Sequence, residues 1–276
     1  MPNKSFKGKL DLLWNQNKFV CVGLDSDLDK IPKSVKGKAG ERIFKFNKAI
    51  IDATYDLVLA YKPNSAFYEA EGPDGLEALK KTIDYIHKKS PNVLVILDAK
   101  RADIGSTNEG YVKFAFDYLK SDAITLHPYL GKEALKPFLD RKDKGLIMLV
   151  KTSNPGSGEF QDLEIEGKPL FLKIAKNIVK DWNVNENVGM VVGATYPKEL
   201  AMVRKIARDI PFLVPGIGAQ GGNLEETVKA GADKNKKGMI INSSRDIIFA
   251  SDKPNFADLA RNKTIELNQK IIEALK

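Results

Sequence analysis

Residues 98–103 read Asp98-Ala99-Lys100-Arg101-Ala102-Asp103 and follow directly on the apolar run Val93-Leu94-Val95-Ile96-Leu97. Such a run reads as a buried strand, which places two carboxylates and two cations at its carboxyl end. Charges in a low-dielectric place are costly unless they are paired. Side chains two apart in a strand share a face, so Asp98 and Lys100 are expected to point at one site. Paired charges aimed at one site are what a reactive centre would need. The competing reading is a structural ion pair. Asp103, in turn, could be no more than a carboxylate favoured at a helix start.

Other apolar runs end on polar residues too. The first gives Asp25, the second Lys62 and Asn64, the fourth Thr125 and His127, and the fifth Lys151, Thr152 and Ser153. The seventh leads into Gly216-Ile217-Gly218-Ala219-Gln220-Gly221, and the eighth into Asn242-Ser243-Ser244-Arg245. The glycine segment has the G-x-G-x-x-G form of a dinucleotide site. That site belongs in an early strand–helix unit with an acidic residue about 20 positions on. At a seventh strand of eight, a phosphate cradle is the better reading, because glycine frees backbone N–H groups and Arg245 adds a forked cation. His127 reads as a packed histidine and His87, among lysines, as an exposed one. Asp25 and Asp27 could also be turn residues, Lys62 an exposed residue after a strand, and Thr107 a residue of a helix start.

These strand ends need a scaffold that brings them together. Eight apolar runs rich in Val, Ile and Leu occupy 19–24, 57–61, 93–97, 123–126, 145–150, 188–193, 212–214 and 238–241. They show little alternation, as strands buried on both faces should. Helix-like stretches at 41–55, 75–89, 108–120, 170–182, 198–208 and 224–230 separate them, and a long one at 255–275 closes the chain. Ser106-Thr107-Asn108-Glu109 has the form of a capping box. Eight such units in 276 residues predict an α/β fold, a (β/α)₈ TIM barrel, as a single catalytic domain over 1–276. Barrel enzymes work at the carboxyl ends of the strands, so the charged strand ends share one rim. A long polar connection rich in Gly and Pro, 153–167, reads as a lid or binding loop.

Composition narrows the classes. The net charge of +8 comes from lysines scattered over helical stretches. No basic block with interleaved aromatics suggests a nucleic-acid surface. One cysteine, Cys21, inside an apolar run, rules out a disulfide framework and fits a reducing compartment. Two histidines and one cysteine cannot form a zinc-like cluster. There is neither a signal-like apolar start nor a run of membrane-spanning length, so a cytoplasmic chain with no membrane or nucleic-acid partner is expected.

Leu97-Asp98-Ala99-Lys100-Arg101-Ala102-Asp103-Ile104-Gly105-Ser106-Thr107 resembles the Asp-x-Lys-x-x-Asp signature and surroundings of the orotidine 5'-phosphate decarboxylase family, in its longer bacterial branch (type 2). Gly23-Leu24-Asp25, Thr125-Leu126-His127-Pro128-Tyr129-Leu130-Gly131, Lys151-Thr152-Ser153-Asn154-Pro155-Gly156-Ser157 and Val214-Pro215-Gly216-Ile217-Gly218-Ala219-Gln220-Gly221-Gly222 are similar to it as well. The short signature alone is shared with metal-dependent sugar-phosphate enzymes of the same superfamily; the combination is more specific. The resemblance implies a homodimeric barrel that converts orotidine 5'-phosphate to UMP and carbon dioxide, the last step of UMP synthesis, with no metal or organic cofactor. It implies that Lys100 protonates the pyrimidine, that Asp98 lies against the substrate carboxylate, and that Lys62 and Asp103 complete an alternating charge array. Asp103 and Thr107 would reach in from the other subunit. Asp25 and Lys62 would bind ribose hydroxyls, Ser153 or the adjoining Thr152 the pyrimidine, and Gln220 and Arg245 the phosphate.

Overall fold

The computed structural model describes residues 5–218 and 222–276. Eight parallel strands close into a barrel: β1 (Val20–Leu24), β2 (Ala60–Pro63), β3 (Leu94–Arg101), β4 (Ala123–Leu126), β5 (Gly145–Lys151), β6 (Val188–Val192), β7 (Phe212–Val214) and β8 (Met239–Ser243). Each strand pairs with its neighbours in sequence, and β1 closes the ring on β8 through Val20 opposite Ile241. The strands are buried almost throughout, which is why their sequences run apolar rather than alternating. The expected barrel is therefore the observed one.

Amphipathic helices form the outer ring, among them Ala39–Thr54, Gly72–Lys89, Pro197–Ala207 and Leu224–Gly231. The last helix, Phe256–Ala274, lies against the first of these, where Phe46 stacks on both Phe249 and Phe256. An additional helix, Phe6–Trp14, precedes β1 and buries Phe6, Leu10, Leu13 and Trp14 on one face. Its Trp14 Nε1 donates to the Met239 carbonyl at the start of β8 (2.8 Å). Its Lys9 reaches Asp122, just before β4 (2.7 Å). The helix thus covers the amino-terminal mouth of the barrel, opposite the charged strand ends.

Two expectations need correction. The helix after β3 starts at Gly105, so Ser106 lies inside its first turn and caps nothing. Buried Asn108 instead ties down the turn before the helix: its Oδ1 accepts from the Asp103 N–H (2.8 Å), and its Nδ2 donates to the carbonyls of Asp103 and Ala134. His87 is half-buried rather than exposed, with Nε2 3.2 Å from Asp122 Oδ2. Cys21 is buried, and burial pushes its thiol up to about 12. Among the described residues no helix is long and apolar enough to cross a membrane.

Candidate active site

The carboxyl ends of the strands open onto one cavity of about 500 Å³. Its floor is Asp98, which is 8% exposed. The Asp98 Oδ2 accepts from Lys62 Nζ (2.8 Å), while Oδ1 accepts from Lys100 Nζ (2.7 Å) and from Thr125 Oγ1 (2.8 Å). One buried carboxylate therefore bridges two ammonium groups. Burial alone would raise the Asp98 pKa, but the charges of Lys62 and Lys100 outweigh it and hold the carboxyl well below the usual carboxylate range. Burial would likewise lower Lys62; Asp98 and Asp25 overcome that and raise it above the ordinary lysine value.

Lys62, on β2, is 4% exposed, so it is not the exposed residue that its position after an apolar run allowed. Asp25 follows β1 and lies 3.7 Å from Lys62 Nζ through Oδ1, an atom that is buried with no hydrogen-bond partner among the described residues. Beneath it a closed polar network fixes the end of β1. Ser26 Oγ donates to Asn47 Oδ1 (2.6 Å), Asn47 Nδ2 donates to Tyr68 Oη (3.0 Å), and Tyr68 Oη donates to the Leu24 carbonyl (3.1 Å).

Asp98 and Lys100 do share the site, but regular alternation is not what aims them. The pairing of β3 with β4 shifts between Leu97 and Arg101, so residues 98–100 form a bulge. Lys100 lies at its apex with φ +46°, a conformation unusual for a lysine. Its backbone N–H donates to Thr125 Oγ1 (3.0 Å), so a single hydroxyl braces both the strained backbone and the Asp98 carboxylate. A bulge of this kind re-aims a side chain without moving the strand. The Lys100 side chain is half-exposed toward the cavity, where its ammonium can meet a ligand.

Ser153 and Thr152 both line the opposite wall. The Thr152 hydroxyl is engaged: it donates to Asn154 Oδ1 (2.6 Å) and accepts from Gln161 Nε2 (2.8 Å). Ser153 approaches β6 so closely that a Cβ on Gly193 would stand 2.8 Å from its Cα, and only glycine leaves that room. At the far end stand the β7–β8 loops. Gly216 and Gly218 have φ of +101° and +80°, and the Gly222 N–H returns to the Gly216 carbonyl (3.1 Å), so the foot of the glycine loop is closed. Arg245, exposed beside this loop, lines the cavity and holds no carboxylate among the described residues. Gln220, expected at the phosphate, lies outside the described residues.

The cavity thus gathers Asp25, Lys62, Asp98, Lys100, Ser153 and Arg245. Asp103 and Thr107 do not line it; Asp103 Oδ1 accepts from the Ile104 N–H, and Thr107 is exposed in the first turn of the helix that starts at Gly105. His127 is packed, its Nε2 3.1 Å from the Ala102 carbonyl. Sequence reasoning left Thr125 and Asn242 without roles and passed over Gln161. Asn242 Oδ1 is a buried acceptor with no partner among the described residues, a signal visible only once β8 is in place.

The sequence profile described as "Orotidine 5'-phosphate decarboxylase / HUMPS family" matches residues 18–258. A protein of Cupriavidus metallidurans named orotidine 5'-phosphate decarboxylase is 46% identical over 268 residues, 97% of either chain. The solved OMP decarboxylase of Leishmania donovani superposes with a TM-score of 0.86 at 37% identity, covering 98% of both chains. The UMP synthase of the same organism gives 0.88 at 38% identity; 98% of this chain is covered, and it spans 56% of that longer one. Agreement of this extent, over the whole barrel and at this identity, leaves one assignment: the chain belongs to the orotidine 5'-phosphate decarboxylase / HUMPS family.

Proposed function

We propose that this chain decarboxylates orotidine 5'-phosphate to UMP, without a metal or an organic cofactor. The observation that carries this reading is the layout of the cavity. A buried carboxylate bridged by two ammonium groups stands at one end, and Arg245, exposed beside a glycine loop and holding no carboxylate among the described residues, stands at the other. The first suits a reacting centre that becomes negative; the second suits a remote phosphate. A cavity of about 500 Å³ is in the range that encloses a small ligand.

In this reading the bond between the pyrimidine ring and its carboxylate breaks, carbon dioxide leaves, and the electron pair stays on the ring carbon. No ring position delocalises that pair well, so fixed positive charge beside it is the direct remedy. Lys100 supplies the charge and then a proton, forming the new C–H bond; solvent returns the proton to its amine. Asp98 holds Lys100 and Lys62 in place and lies against the departing carboxylate, a like-charge contact relieved as carbon dioxide leaves. Asp25 and Lys62 take the ribose hydroxyls. Ser153, whose hydroxyl has no partner among the described residues, holds the pyrimidine in preference to Thr152. Arg245 and the glycine loop, Gln220 included, take the phosphate, whose binding energy orders the site. Asp103 and Thr107 complete the array from a second subunit. The free buried Cys21 supports a reducing, cytoplasmic setting for this single-domain enzyme.

The test is the loss of orotidine 5'-phosphate absorbance in excess chelator, which separates this chemistry from that of metal-dependent relatives. Lys100→Ala is expected to cut turnover by at least about 10⁴-fold while the protein stays folded by circular dichroism. No turnover by the wild type, or near-normal turnover by the variant, defeats the assignment.

A further inference from the structure

β5 ends on a lysine that this chemistry does not use. Lys151 is 1% exposed and does not line the cavity. Its ammonium lies 4.6 Å from the ring centre of Tyr196 and 5.8 Å from that of Phe171. Aromatic faces attract a cation but do not neutralise it. The neutralising partner is Asp162 Oδ1 at 2.7 Å, and Ser157 Oγ lies at 3.2 Å. Both belong to the connection between β5 and the helix Leu170–Asn177. Lifting that connection would leave a charged lysine buried and unpaired, the costly way to break such a pair.

The residue beside Asp162 faces the cavity. Gln161 Oε1 accepts from the Thr152 N–H (2.9 Å), and its Nε2 donates to the Thr152 hydroxyl, next to Ser153. We propose that Lys151 and Asp162 form a latch that holds residues 153–162 down over the cavity before any ligand arrives, with Gln161 as the pocket-side contact it positions. Lys151 and Asp162 are positioning residues. Only the kinetic arm of the proposal rests on the substrate reading above.

The experiment compares Asp162→Asn, Lys151→Met/Asp162→Asn and Gln161→Ala with the wild type. Three quantities are read: melting temperature, cleavage of the ligand-free loop by a glutamate-specific protease, and steady-state kinetics. Glu159, Glu164 and Glu166 are exposed on the loop and give the protease its sites. Asp162→Asn is expected to melt lower, to be cut about tenfold faster and to raise KM about tenfold, with kcat changed less than about threefold. The double variant has no buried charge to orphan, so it regains the melting temperature. It nevertheless keeps the fast cleavage and the raised KM, a split that a purely stabilising pair would not produce. Gln161→Ala is expected to reproduce the KM change without the melting change. Wild-type cleavage and KM in the double variant, or no change of either in Asp162→Asn, overturns the latch. A wild type that fails to turn over orotidine 5'-phosphate defeats the substrate reading alone, and the cleavage arm still decides the latch.

Discussion

Lys100 sits in the left-handed region at φ +46°, where a side chain with a Cβ pays roughly 1–2 kcal/mol. The bulge that imposes this is braced by Thr125, whose hydroxyl accepts from the Lys100 N–H and donates to Asp98. Thr125→Val keeps the shape and removes both bonds. It is expected to cost about 1–3 kcal/mol of stability, chiefly through the unpaired Lys100 N–H, since the Asp98 carboxylate keeps its two lysines, and to lower kcat about tenfold by loosening the Lys100 ammonium. Chemical denaturation and steady-state kinetics read the two effects; an unchanged kcat would show that the bulge holds its shape without this hydroxyl. The pairing of Asp98 with Lys100 was legible from their spacing, but its cause was not. Strand alternation foresees a shared face, whereas the structure reaches the same end by breaking the alternation. Nothing in the local sequence marks residues 98–100 as a bulge, because the shift is set by where β4 pairs.

At the scale of elements, β4 and β7 begin and end where their apolar runs do, and the other strands differ by a few residues. β3 runs on to Arg101, past its last apolar residue, because pairing with Leu126 continues beyond the bulge. The task of the helix before β1 was not legible at all, since its partners lie far along the chain. The helix meets the barrel through Asp122, which accepts from Lys9 Nζ (2.7 Å) and from the Val95 N–H (2.9 Å), with His87 beside it. Burial would raise the Asp122 pKa, but its bonds to His87 and Lys9 leave it lowered. A depressed carboxyl adds stability that is present above its unfolded value near 3.9 and is lost as pH falls through the folded value. Asp122→Ala orphans the Val95 amide and is expected to cost about 2–4 kcal/mol at pH 7, a melting drop of about 5–10 °C. The gap from the wild type should narrow as pH falls below about 4, because the wild type then loses what the variant lacks. Activity well below the melting temperature should not change, since Asp122 faces the closed mouth; a fall in kcat would refute that separation of the two ends.

At the scale of the whole molecule, the barrel puts its chemistry at one rim, yet two residues of the Asp-x-Lys-x-x-Asp-x-x-x-Thr stretch stay outside the cavity. Asp103 and Thr107 stand past the bulge with Ile104, which is 61% exposed, and Tyr129 is 85% exposed in the next loop of the same rim. Large apolar side chains left open beside polar ones that stay outside the cavity suit an interface with a second copy. If Asp103 serves the neighbouring site, each site combines Lys100 of one subunit with Asp103 of the other. Lys100→Ala and Asp103→Ala homodimers are then both inactive. In a mixed dimer one site carries both substitutions and the other carries neither. Unfolding and refolding the two variants together at equal concentration yields about half mixed dimers by random pairing, so about a quarter of all sites are restored. Turnover should recover to about that fraction of the wild type, with KM unchanged. Affinity tags of two kinds, one on each variant, verify that mixed dimers have formed. Purified mixed dimers with no activity would show that Asp103 serves only its own chain, and that the exposed rim has another use.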